Sequence, residues 1–117
     1  MTEISAAQLA AIREMGDKQA IEKALALHSR GVDRADFTLL SEAYHDDATV
    51  DYGFFVGPAR DLARILADAQ WGQPTSLHRT CSSWIKVLGN KAVSESYIVA
   101  YVETHGDEAA KQRLVFG

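Results

Sequence analysis

The hydrophobic pattern changes period along the chain, and this change constrains the fold more than any other feature. In the first third, Ile21, Leu25, His28 and Val32 recur at helical spacing and share one face at 3.6 residues per turn, with Glu22, Lys23 and Arg30 off it. Upstream, Ala6, Leu9, Ile12 and Met15 form a similar stripe, read either as one long helix or as two with a break near Gly16-Asp17. Asp36 is placed to cap a short helix from Phe37 to Tyr44, because its carboxylate takes up a free backbone N–H. Ala48 to Phe55 is β-like, with Gly53 as a break. Gly57-Pro58 then opens a third helix whose buried face comes from Leu62, Ile65 and Leu66. After Pro74 the period falls to two. Thr75 to Leu88 reads as a strand, Gly89-Asn90-Lys91 as a tight turn and Ala92 to Thr104 as a second strand. Gly106-Asp107-Glu108 reads as another hairpin turn, and Lys111 to Phe116 as a third strand. Helices first and an antiparallel meander afterwards predict an α+β fold with helices packed on one sheet face.

The chain's 117 residues suit a single domain spanning 1–117. Twelve Lys+Arg against sixteen Asp+Glu, with no basic run, argue against a nucleic-acid surface. The apolar stretches fall short of the ~20 residues of a membrane helix, so no membrane association is expected. Met1-Thr2-Glu3-Ile4 lacks the charged start and apolar core of a signal peptide, which points to the cytoplasm. Cys81 is alone, so there is no internal disulfide, and it reads as a small buried hydrophobe. Gln112 to Gly117 is strand-like to the last residue, which leads to the expectation of a further C-terminal strand or of one supplied by another chain.

The candidates for chemistry are histidines and one aspartate. His45 reads as a helix-end residue, His105 as exposed beside the Gly106 turn, and His28 as facing the core or a cavity. His78 stands out. It lies on a strand, alternating with Leu77 and Arg79, on the nominal face of Thr80, Ser82 and Trp84. Asp33 closes the first helix, where an acidic residue opposes the helix dipole unless it has another task. Two readings of it stand: a surface ion pair with Arg30 or Arg34, or a carboxylate that holds one imidazole nitrogen and frees the other as a base. For His78 the alternative is a histidine packed between sheet and helix for structural reasons. No nucleotide, nucleophile-elbow or zinc motif is present, so no cofactor and no metal are expected.

Several segments together resemble an NTF2-like (SnoaL-like) domain over Ile12 to Gly117. They are Gly31-Val32-Asp33-Arg34, Tyr44 to Tyr52 leading into the first strand, Gly57-Pro58 before the third helix, and Ser76-Leu77-His78-Arg79 on the sheet. Within that family the chain is most similar to the branch of scytalone dehydratase and hexachlorocyclohexane dehydrochlorinase. The resemblance implies a cystatin-like cone of helices on a curved antiparallel sheet. It implies Asp33 and His78 as a catalytic dyad, and Asp51-Tyr52 resembles the pair whose tyrosine holds a water near the substrate carbonyl. Tyr52, His28, Phe55, Trp84 and Tyr101 are the expected substrate-binding residues. Where His28 falls, the dehydrochlorinase carries a lysine.

The implied function is a cofactor-independent lyase or isomerase acting on a small, mostly apolar molecule. The alternative is a non-catalytic module that binds a ligand or stabilises a partner, like the small subunits of ring-hydroxylating dioxygenases. Apolar side chains on both faces of the second strand (Val93, Tyr97, Val99 and Tyr101; Ile98, Ala100 and Val102) predict a covered second face and a homodimer or larger homo-oligomer.

Overall fold

The computed structural model describes residues 3–74, 76–104 and 111–116, with side chains as far as residue 103. The expected Gly106-Asp107-Glu108 turn and His105 lie outside the described residues. Three helices, α1 (Ala6–Asp33), α2 (Phe37–Glu42) and α3 (Ala59–Gln70), precede the long strands β3 (Leu77–Leu88), β4 (Lys91–Thr104) and β5 (Lys111–Phe116). A short hairpin of β1 (Thr49–Asp51) and β2 (Val56–Pro58) intervenes between α2 and α3. The long strands form an antiparallel sheet in the order β3-β4-β5, so among the described residues β3 is an edge. This is the α+β arrangement that the change of period predicts. Among the described residues no helix is long and apolar enough to cross a membrane.

Helix α1 runs unbroken through Gly16-Asp17. Its start is a reciprocal cap: the Gln8 N–H donates to Ser5 Oγ at 3.1 Å, and the Ser5 N–H donates to Gln8 Oε1 at 2.9 Å. The Leu9, Ile12 and Met15 stripe is exposed, because α1 reaches burial only towards its C-terminal end, at Gly31 and Val32. There Val32 meets Leu40, Ala63 and Ala67, with Phe37 and Leu66 packed against them. The buried face of α3 is Ala59, Leu62, Ala63 and Ala67, whereas the expected Ile65 is exposed. Small side chains let α3 sit close to its neighbours. Pro58 ends β2 and occupies the N-cap, one position before the first helical turn.

The end of α1 fixes where Asp33 stands. The Asp36 N–H donates to the Gly31 carbonyl at 2.8 Å and the Ala35 N–H to the Val32 carbonyl at 3.1 Å. These two bonds are the Schellman pattern, with Ala35 in the left-handed position (φ 51°) where glycine is usual. Asp36 then caps α2, its Oδ1 accepting from the Leu39 N–H at 3.1 Å, as the sequence predicts. At Gly31 a Cβ would lie 2.6 Å from Leu40 Cγ and 2.8 Å from the Leu40 backbone nitrogen.

These two positions predict opposite outcomes in urea unfolding. Gly31→Ala should lower stability by about 1–2 kcal/mol, because overpacking against backbone exceeds the gain in helix propensity. Ala35→Gly should raise it by roughly 0.5–1 kcal/mol by relieving the left-handed strain. A stabilised Gly31→Ala would contradict this account of how α1 ends.

Candidate functional site

The last residue of α1 faces the open edge of β3. An edge strand leaves one row of backbone N–H groups without a sheet partner, and Asp33 takes the one at His78. The His78 N–H donates to Asp33 Oδ1 and Oδ2 at 3.2 and 3.1 Å. The same carboxylate holds the His78 ring, with Nδ1 2.6 Å from Oδ1. Ser76 Oγ–H, almost wholly buried, donates to Oδ1 at 2.8 Å. A carboxylate accepts only, so the short ring contact puts a proton on Nδ1, and in the neutral form of the ring Nε2 carries the lone pair. Both side chains are mostly buried. Asp33 is therefore not paired with Arg30 or Arg34. Its unfavourable place at the helix C-terminus is offset by three donors that converge on it.

Asp33 and His78 belong to the wall of a cleft of about 670 Å³ between α1 and β3. Leu25 and Ala26 are its apolar members. Glu22, Ser29, Arg30, Arg34, Arg79, Thr80, Cys81 and Ser83 complete it, so the wall combines charged and hydroxyl groups with apolar surface.

His28 and Tyr52 come together in a second group. The Tyr44 hydroxyl lies 2.9 Å from His28 Nδ1, and the Tyr52 hydroxyl 3.4 Å from His28 Nε2. Burial holds the His28 pKa below the usual imidazole range, and the nearby His78 adds to the effect. Burial also pushes the Tyr44 phenol up to about 12, with Tyr52 adding to it, and raises Tyr52. Phe55 is joined to this group through its backbone, its carbonyl accepting from the Tyr52 N–H at 2.7 Å, while its ring lies against Gly57.

Trp84 and Tyr101 require correction. The register passes from Thr80 opposite Ile98 to Ser83 opposite Ser96, so Cys81 and Ser82 together face Tyr97 in a β-bulge. One extra residue reverses the alternation. Ser83, Ile85 and Val87 thus continue the His78 face, and Trp84 lies on the opposite, exposed face. Tyr101 pairs with Leu77, whereas Ala100 pairs with His78, so Tyr101 is also on the far face. Cys81 shares the exposed face of Leu77 and Arg79 and is not a buried hydrophobe. Two contributors went unrecognised in the sequence. Ser76 carried a signal, since it stands two residues before His78 on the same strand face. Tyr44 carried none beyond its neighbour His45, which is exposed.

The lowered His28 pKa gives a pH dependence of stability. A base that binds its proton more readily when unfolded contributes fully above its unfolded pKa of 6.5 and loses that contribution as pH falls through the folded value. His28→Gln should therefore lose less stability than the wild type between about pH 7 and about pH 5. Equal losses in the two urea midpoints would contradict a neutral, buried His28.

Comparison with known proteins identifies the architecture. A family described as the SnoaL-like domain matches residues 13–117. The fold is similar to the crystal structure of the Kfla4162 protein from Kribbella flavida, with a TM-score of 0.77 at 16% identity, over 89% of this chain and 77% of that one. It is also similar to an NTF2-like protein with a cystatin-like fold from Novosphingobium aromaticivorans, with a TM-score of 0.73 at 20% identity, over 98% of this chain and 78% of that one. No curated protein matches the chain. The family match over most of its length, together with the shared fold, shows that the chain belongs to the SnoaL-like domain family.

Proposed function

We propose that the protein is a cofactor-independent lyase or isomerase in which His78 is the general base and Asp33 its partner. The observation that carries this reading is the 2.6 Å contact between His78 Nδ1 and Asp33 Oδ1, reinforced by Asp33's hold on the His78 backbone. In this reading, neutral His78 takes a proton at Nε2 from a carbon activated by an adjacent carbonyl or leaving group. Asp33 stabilises the imidazolium that forms and keeps the ring in the productive tautomer. Tyr52 donates a hydrogen bond to the negative charge that develops on the substrate. The raised tyrosine pKa supports a phenol that stays protonated for this purpose. The wall's mixture of apolar surface and polar groups supports a small substrate with an apolar body and a polar substituent.

The test is a screen of dehydration, isomerisation and dehydrohalogenation substrates, with His78→Ala as the blank. On any substrate that turns over, His78→Gln should cost about 10²–10⁴-fold in kcat, the range of a positioned general base. Asp33→Asn should lose a comparable factor, because its amide offers the wrong hydrogen-bonding partner to Nδ1. Near-wild-type turnover in folded His78→Gln would return both residues to structural roles and favour a ligand-binding module.

The same proposal includes self-association through the outer sheet face. Leu77, Trp84, Val93 and Tyr97 are each at least half exposed on that face, and apolar side chains grouped on one exposed face support an interaction surface. Sedimentation velocity at micromolar concentration should show a dimer or larger species, which Trp84→Lys dissociates. A monomer throughout would remove this part of the reading.

A further inference from the structure

Both nitrogens of His28 have a tyrosine hydroxyl as neighbour, and the two contacts are unequal: 2.9 Å from Tyr44 to Nδ1 and 3.4 Å from Tyr52 to Nε2. A neutral imidazole carries one N–H, so one nitrogen accepts and the other donates. A phenol is a better donor than acceptor, and an imidazole lone pair is the best neutral acceptor here. The shorter bond is therefore Tyr44 O–H to Nδ1. The edge-on arrangement of the two rings, with planes at 86°, fits this contact. Nδ1 is then occupied as an acceptor, the ring proton is on Nε2, and Nε2–H points to the Tyr52 oxygen. With that oxygen accepting from His28, the Tyr52 proton is free for another acceptor.

We infer that Tyr44 is a positioning residue: through His28 it sets the direction of a Tyr44–His28–Tyr52 hydrogen-bond chain and makes Tyr52 a donor rather than an acceptor towards the substrate. The inference rests on the proposed reaction for its purpose, but the direction of the chain stands on the geometry alone. The chain holds its protons in place. Burial opposes ionisation of both phenols and protonation of His28, so each bond polarises the next without net transfer. The two histidines then differ in kind. In its neutral form His78, bonded to a carboxylate, has its lone pair on Nε2, whereas His28, bonded to a phenol, has its proton there. With the tautomers reversed, a base and a donor lie in one neighbourhood without competing for the same proton.

The experiment is a long-range ¹⁵N–¹H correlation spectrum of the histidine rings, recorded on the whole chain near neutral pH without ligand. Wild-type His28 should show a protonated Nε2 and a bare Nδ1. Tyr44→Phe should shift it to a mixture of tautomers or reverse it. Tyr97→Phe, which alters an exposed tyrosine on the outer sheet face, should leave it unchanged. A proton on Nδ1 of wild-type His28, or an identical spectrum in Tyr44→Phe, would overturn the inference. The wild-type spectrum decides the matter even where Tyr44→Phe fails to fold. On a confirmed substrate Tyr44→Phe should lower kcat about tenfold with KM little changed, the low end of what partners that orient a histidine contribute at metal sites. Failure here, beside loss of turnover in His78→Gln, removes the chain's role and leaves the base in place. The expected tautomer beside an inert His78 keeps the chain and removes the reaction.

Discussion

The Asp33 carboxylate is the point on which the site depends. It lies at the end of a long helix, the least favourable place there for a negative charge, and it receives the Ser76 hydroxyl, the His78 ring and the His78 backbone N–H. A side chain that binds both backbone and ring of one residue fixes the position and the rotamer of that residue together. The edge of β3 makes this possible, because an interior strand would have given that N–H to a neighbouring strand. Helix end, sheet edge and imidazole tautomer are thus settled by one group.

The local structure around Asp33 is strained in a consistent direction. Ala35 adopts the left-handed conformation that glycine usually takes, and Gly31 leaves no room for a side chain against Leu40. Both features turn the chain sharply from α1 into α2, and the buried contact of Val32 with Leu40 and Ala63 holds that turn closed. A sequence optimised for helix termination alone would place glycine at 35. Departures of this kind concentrate near functional groups, where the geometry of one side chain outweighs local preference.

Much of the fold was legible in the sequence, because period is a property of neighbouring residues. The change from 3.6 to 2 gave the order of helices and strands, and Asp36 before Phe37-Thr38-Leu39 gave the cap of α2. The Asp33–His78 meeting was legible only through family resemblance, since 45 residues separate them and pattern carries no distance. The bulge at Cys81-Ser82 was not legible at all. It depends on how β3 and β4 pair, and one unpaired residue moved Trp84 to the far face. Exposure of Leu9, Ile12 and Met15 was likewise hidden, because an apolar stripe states which face a helix would bury and not what is there to bury it. Tyr44 gained its meaning only when the turn after α2 brought it to His28.

The most direct test of the account is the position of the ring proton of His78 in solution. The 2.6 Å contact with Asp33 predicts a proton on Nδ1, seen as a slowly exchanging, strongly downfield resonance. That resonance should vanish in Asp33→Asn while the fold is retained. A bare Nδ1 in the wild-type protein, or an Nδ1–H resonance that Asp33→Asn leaves unchanged, would contradict the claim that Asp33 prepares His78 as a base.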